Sequence, residues 1–448
     1  MANSYLSRTI SSNGSKRTFT FSAWVKRSEI TSYNPLFGHI SNSSTDYFAI
    51  GFNNSDQLFA ESIASGNNQI VVKTNRLFRD TNSWYHIVVA VDTTQATASN
   101  RVKIYINGVQ ESSFHTSTYP SQNADIDVNV SGEPMVVGGM YDPVNNYFDG
   151  YISHAAFVDG QALAQTVFGE TDSTSGIWKF KAPSGVTWGT NGFHLKFENS
   201  GALGTDSSGN TNTFTVNGNL KQALDTPSGV HATLNPLHRG TELGNATFSN
   251  GNLKHEGTSS GSNYPYTFST LAASQGKWYA EFKAVVADTT MIGIASGIAD
   301  SFLGGTASAK GYALYGNNGN LFTSGSGSSY GSALSNNDIL GVAMDLDNNK
   351  LYFHKNGTYH NSGDPTSGAT GTGAVSITAP ADNGTGVYHF ACGKSGSATT
   401  SIEANFGNGY FGTTAITSAG SNGNGSLFEY NVPSGYYALN TKNINTYG

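Results

Sequence analysis

Residues 141–149, Tyr-Asp-Pro-Val-Asn-Asn-Tyr-Phe-Asp, gather the side-chain types that hold sugars. Tyr141 and Tyr147 offer flat aromatic faces, while Asp142, Asn145 and Asn146 offer carboxylate and amide groups that bond hydroxyls. The same stretch also reads as a plain Asp/Asn turn whose tyrosines finish the edge of a sheet. Asp142 and Asp149 would place oxygen ligands for a calcium ion on one loop. Turn statistics favour the plain turn, so the expected cofactor is none.

Other chemistry is poorly supplied. Retaining hydrolysis of a glycan needs two carboxylates about 5 Å apart on one face. The closest pattern is Glu170-Thr-Asp172, in a turn-like segment where the two acids read as solvated or capping, and no enzyme activity is expected. Residues 345–349, Asp-Leu-Asp-Asn-Asn, imitate a calcium loop. Lys350 stands where that loop needs Gly, and Asn356 where it needs Glu. His354 and His360 are six apart and His86 and His389 each follow an aromatic, with no metal-ligand spacing. Cys392, the single cysteine, excludes an internal disulfide and reads as a buried small apolar residue. Gly-rich pieces such as 325–330 lack the Lys and helix of a phosphate loop.

The elements that must position these residues are strands. Residues 338–346 and 350–356 alternate apolar and polar around Asp347-Asn348-Asn349, and a second turn follows at Asn356-Gly357. The pattern recurs at 84–92 and 102–109, ending in Asn107-Gly108. Residues 17–26 alternate, with Phe19, Phe21 and Ala23 on one face. Further strands are expected at 46–52, 134–139 and 148–158, and a helical turn at 161–168. Charged residues are only 12% of 448, while Gly numbers 54 and Tyr plus Phe 48 (23 and 25). That composition marks an all-β chain of tandem antiparallel sandwiches with many turns. A net charge of −7 argues against nucleic acid or an anionic membrane as partner, and no apolar run approaches the ~20 residues of a membrane span.

Four pieces in order, FTFSAWVK at 19–26, WYH at 84–86, VKIYINGV at 102–109 and GYI at 150–152, resemble the laminin-G-like jelly roll of the concanavalin A-like superfamily. GKWYAEF at 276–282, IGIA at 292–295, GYALY at 311–315, residues 338–357 and ANFG at 404–407 resemble a SPRY domain. The resemblances imply a laminin-G-like jelly roll over 1–169 and a SPRY-like sandwich over 242–448. Between them, 170–241 is expected as a β-rich connector packing on the first sandwich. Trp178, Trp188, Phe193, Leu195 and Phe197 are too large and apolar to leave in water, and 193–199 is expected as an added or displaced edge strand.

The order of these pieces, with GTNGFHLKFENS at 189–200, DTPSGVHATLNP at 225–236 and GNLKHEG at 251–257, resembles structural proteins of marine bacteriophages. Residues 1–10 have no apolar signal-peptide core, and a low-charge Ser/Thr/Asn/Gly surface suits an exterior location. These readings imply a virion protein made in the host cytoplasm, a fibre, spike or decoration, that binds host glycans or other virion proteins. The alternatives are a decoration with a purely structural role and, less favoured, a glycan-degrading tail enzyme. Weak single sites imply a homo-oligomer or symmetric array.

Overall fold

The computed structural model describes residues 4–42, 45–140, 146–240, 246–257 and 264–448. It divides into two compact units, Met1–Gln222 and Ala223–Gly448. Both are built of antiparallel sheets.

In the first unit, six strands run in the order Phe193–Leu195, Gly150–Asp159, Thr18–Arg27, Trp84–Asp92, Val102–Ile106, Val109–Gln110. Eight others, centred on Asn34–Asn42, Asp46–Phe52 and Gln57–Ala64, form the facing sheet, closed at one edge by Tyr5–Thr9 and Thr215–Asn217. Alternation decides which side chains meet between the sheets. Phe19, Phe21, Ala23 and Val25 of one sheet join Phe37, Phe48, Ile50 and Phe52 of the other in a dry core. Trp84–Asp92 pairs with Val102–Ile106, setting Ile87 opposite Ile106 and Val89 opposite Ile104.

Strand Thr18–Arg27 is buried on both faces, which alternation alone does not foretell. On its second face Thr20 bonds Gln161 and Leu163, Ser22 and Trp24 meet His86, and beside it Leu163, Val167, Phe168, Val186 and Trp188 pack on Val88, Tyr105, Ala156 and Val158 of the adjoining strands. Within 161–188, Gly169–Thr171 pairs with Trp178–Phe180. The Trp178 indole N–H donates to His86 Nδ1 at 2.9 Å, and Phe180 stacks on His154. In 161–168 the helical piece is a three-residue 3₁₀ turn, Gln165–Val167.

Residues 170–241, expected as one connector, are shared between the two units. Residues 170–222 are part of the first unit: Phe193 and Leu195 enter its core, and Phe193–Leu195 pairs with Gly150–Asp159 as an edge strand. Residues 223–241 belong to the second unit. There Leu234 is fully buried in the second core, and Leu234–Arg239 pairs with Tyr266–Ser269 as the edge of a sheet. The edge position tolerates Pro236, which has no N–H to give to a further strand.

The second unit faces a seven-stranded sheet against a nine-stranded one. Asp338–Asp345 pairs with Lys350–Lys355 and with Lys277–Val286. Trp278, Phe282, Val342, Met344 and Phe353 meet Ile292, Ile294, Phe390 and Cys392 in its core. Residues 428–438 make a further layer, in which Phe428, Val432 and Tyr436 cover Tyr279 and Tyr352. A short α-helix, Thr441–Tyr447, ends the chain. Among the described residues no helix is long and apolar enough to cross a membrane.

Candidate binding face of the first unit

Of the residues singled out for sugar binding, Tyr141, Asp142 and Asn145 lie outside the described residues. Asn146 and Tyr147 form the returning arm of a hairpin. The Met140 N–H donates to the Asn146 carbonyl at 3.1 Å, and the Phe148 N–H to the Gly138 carbonyl at 3.0 Å. Tyr147 bridges to Gly139 and stacks on Tyr5 with ring centroids 5.5 Å apart. Both residues are half-buried.

The hairpin holds Met140 over the outer face of the eight-stranded sheet. Gly38 and Ala49 lie opposite each other there, and their small size lets Met140 pack close to the sheet. A Cβ on Gly38 would come within 3.2 Å of Met140 Cα, so glycine lets Met140 approach without a shift. Beyond Ala49 the row continues through Glu61 to Val71, its cross-strand partners.

Around this row the alternation that sends Phe48, Ile50 and Leu58 inward sends Tyr47, Ala49 and Phe59 outward. Ala49, Phe59 and Met140 form a small apolar cluster with Tyr33 and Tyr47. Tyr33 stacks on Phe59 at 5.0 Å and 16°, and its hydroxyl points to Met140 Sδ at 4.0 Å. Beside them Lys73 Nζ pairs with Glu61 Oε1 at 2.8 Å, with 28% and 16% of the two side chains still exposed. Burial, then the Glu61 carboxylate, then Tyr47 hold the Tyr33 phenol well above its usual range. Burial and Glu61 raise that of Tyr47 as well. Both phenols stay protonated at neutral pH and can donate.

The face therefore presents two tyrosines, a carboxylate and an ammonium within one shallow patch, the combination that stacks on a sugar ring and bonds its hydroxyls. None of Tyr33, Tyr47, Phe59, Glu61 or Lys73 was singled out from the sequence. The available signal was the odd-numbered alternation at 47–51 and 59–63, but it takes the cross-strand register to show that the residues adjoin.

Asp149 lies near the same hairpin. Its carbonyl accepts from the Ser28 N–H at 3.0 Å, and burial, aided by the nearby Glu29 carboxylate, pushes its carboxyl up to about 6. Calcium takes about six to eight oxygens. Among the described residues no group of three or more His, Cys, Asp or Glu side chains could hold a metal. Asp149 with Glu29 does not make such a cage.

The remaining acids serve turns and pairs. Asp172 accepts from the Thr174 and Ser175 N–H groups at 3.0 and 2.9 Å and pairs with Lys179 at 3.0 Å; Glu170 shares that lysine at 3.5 Å. Asp345 pairs with Lys277 at 2.9 Å and caps Asn348, and Asp347 accepts from the Gly276 N–H at 2.7 Å, so 345–349 is a hairpin turn.

Comparison with known proteins agrees with this architecture. Residues 2–168 match the family model of the concanavalin A-like lectin/glucanases superfamily, and residues 277–386 match that of the SPRY domain. The chain thus carries a concanavalin A-like domain followed by a SPRY domain, both β-sandwiches. No curated protein matches the sequence. Similar solved structures include the SPRY domain of human HERC1, at 15% identity and TM-score 0.31, covering 38% of this chain and 96% of that one. Another is the heptameric SAP-like pentraxin of Limulus polyphemus, at 13% identity and TM-score 0.29, covering 41% and 82%. A third is domain 4 of the arabinanase AbnA of Geobacillus stearothermophilus, solved with arabinotriose, at 20% identity and TM-score 0.25, covering 35% and 65%.

Proposed function

We propose that this chain is a binding protein without catalytic activity or cofactor, displayed on a phage particle as a fibre, spike or decoration. The outer face of the eight-stranded sheet holds a host-surface glycan, and neighbouring virion proteins anchor the chain. The observation that carries the binding reading is the patch of Tyr33, Tyr47, Glu61 and Lys73, where aromatic and charged groups converge, each partly exposed. The phage setting rests on the order of sequence pieces from 19 to 282. A shallow face buries little area and must desolvate polar groups, so each site is weak. Adhesion then comes from several copies, in a homo-oligomer or an array on a symmetric particle.

The test is attachment of the purified full chain to host cells and to virions stripped of it, alongside a depolymerisation assay on host polysaccharide. Attachment to cells that falls at least about fivefold in Tyr47→Ala, with no polysaccharide turnover, is the expected result. Binding to virions and never to cells would replace this reading with a purely structural decoration. Turnover of polysaccharide would replace it with an enzyme.

A further inference from the structure

The second unit carries an aromatic pair at the rim of its core, one ring packed on that core and the other exposed. Tyr437, on the short strand Tyr437–Ala438, and Tyr447, at the end of the helix Thr441–Tyr447, lie face to face with ring centroids 3.6 Å apart and planes within 2°. Tyr447 is 40% exposed, among the most exposed large apolar-bodied side chains of the chain.

The rings are held rigidly. Tyr437–Ala438 runs parallel to Lys277–Val286, with Tyr437 opposite Trp278. The helix is capped by Asn440, whose side-chain oxygen accepts from the Asn443 N–H at 2.8 Å. The Asn443 amide in turn donates to the Ala438 carbonyl at 2.9 Å. Thr441 exchanges two hydrogen bonds with Val230, its N–H donating to the carbonyl and its hydroxyl accepting from the N–H. Ile444 packs on the core. Little side-chain freedom remains to be lost when something settles on the Tyr447 ring.

We propose that Tyr447, backed by Tyr437, is a stacking platform for the apolar face of a pyranose ring in a neutral saccharide. Two parallel tyrosines present like-signed faces to each other, an arrangement that rings on their own avoid. The outer face of Tyr447 is electron-rich and complements the polarised C–H groups of a sugar. The surroundings supply neutral hydrogen-bonding groups: Asn424, whose amide donates to the Tyr447 hydroxyl at 3.5 Å, and, on the helix itself, the exposed Asn445 and Thr446, the latter's hydroxyl donating to the Lys442 carbonyl. Lys442 is the one charge in 441–448. A neutral sugar suits these side chains; from 441–448 itself an acidic glycan or phosphate would find a single lysine. The site extends the glycan-binding reading above, but stands on residues separate from the first unit's face.

The experiment is saturation-transfer NMR and titration of the full chain with cellotriose, maltotriose and chitotriose at millimolar concentration, with a proline-rich decapeptide as competitor class. Wild type, Tyr447→Ala, Tyr447→Phe and Tyr47→Ala are compared, with thermal midpoints to confirm folding. At least one trisaccharide is expected to bind through its ring-face C–H protons. Its affinity should drop about fivefold or more in Tyr447→Ala and hold within about twofold in Tyr447→Phe. Sugar binding lost in Tyr47→Ala but unchanged in Tyr447→Ala would overturn this site and leave the first unit's face standing. No binding of any trisaccharide, or Tyr447-dependent binding of the decapeptide alone, would also overturn it.

Discussion

At the scale of single residues, the second unit contains a proton chain whose direction can be read off. Glu281 is fully buried. Its Oε1 accepts from the Tyr279 hydroxyl at 3.0 Å and the Tyr430 N–H at 2.8 Å, and its Oε2 from the Glu429 N–H at 2.8 Å. His354 Nδ1 accepts from the Gly357 N–H at 3.0 Å, so Nε2 carries the hydrogen and donates to the Tyr279 oxygen at 2.6 Å. That leaves the Tyr279 proton for Glu281. One carboxylate thus ties residues 429–430 to the sheet. Burial opposes these donors and pushes the Glu281 carboxyl up to about 7, from 4.5, and pushes His354 down to about 3. Because the folded pKa lies above the unfolded one, the folded state holds the Glu281 proton more tightly. The resulting stability is complete below 4.5 and is lost as pH rises through 7. Stability profiles of wild type and Glu281→Gln, measured from about pH 4 to pH 8, should therefore differ by a term that shrinks with rising pH. A pH-independent difference would mean that Glu281 has the same pKa folded as unfolded. In the first unit, Arg27 and Asp56 are both fully buried and paired at 3.0 Å, with Arg79 on the other Asp56 oxygen at 2.9 Å. Asp56→Ala leaves the Arg27 cation buried without its carboxylate and should cost about 3–5 kcal/mol in denaturant unfolding.

At the scale of elements, the hairpins were legible and their outer coverings were not. Asn107 and Gly108 have φ of 47° and 82°, and Asn356 and Gly357 of 48° and 85°. Both pairs are two-residue turns with positive φ at each position, which the Asn-Gly dipeptide announces. Gly108 has a second duty invisible in the dipeptide: a Cβ there would overlap the Trp178 ring, a residue 70 positions on. Gly108→Ala should then destabilise by more than the ~1 kcal/mol of backbone strain, reaching about 2–4 kcal/mol with the steric clash. Asn107→Ala should lose only the 2.7 Å bond its side chain accepts from the His86 N–H and some turn propensity. Equal effects from the two would show that Trp178 moves aside at no cost. Residues 18–27 announce one buried face through Phe19, Phe21 and Ala23. Thr20, Ser22 and Trp24 on the other face are buried by distant residues, Thr20 by Gln161 and Leu163 and the other two by His86 under Trp178, and nothing local encodes that cover. The candidate site was legible to the same degree. The 141–149 segment was singled out by its residue types, whereas Tyr33, Tyr47, Glu61 and Lys73 come from four stretches that only sheet register brings together.

At the scale of the whole molecule, the division at Gln222 and Ala223 makes a sharp claim about which pieces can stand alone. The family-model match on the first unit ends at residue 168, yet the unit also needs residues 169–222. Phe193, Leu195 and Phe214 lie in its core with 3% exposure or less, and Trp178 closes over His86. Cutting at Phe168 removes three large core side chains, each worth about 2–5 kcal/mol as a deletion. It also uncovers the apolar face around Val88, Ala156 and Val158. That total reaches the ~5–15 kcal/mol by which a typical domain is stable at all. A fragment of residues 1–168 should therefore be insoluble or lack a cooperative transition. A fragment of residues 1–222 should unfold cooperatively and stay soluble. A fragment of residues 1–241 adds only segments whose partners lie in the second unit, such as Leu234, and should gain no stability over 1–222 in denaturant titration. Cooperative folding of 1–168 would show that the covering layer is an accessory. A clear gain in 1–241 would move the boundary beyond residue 222.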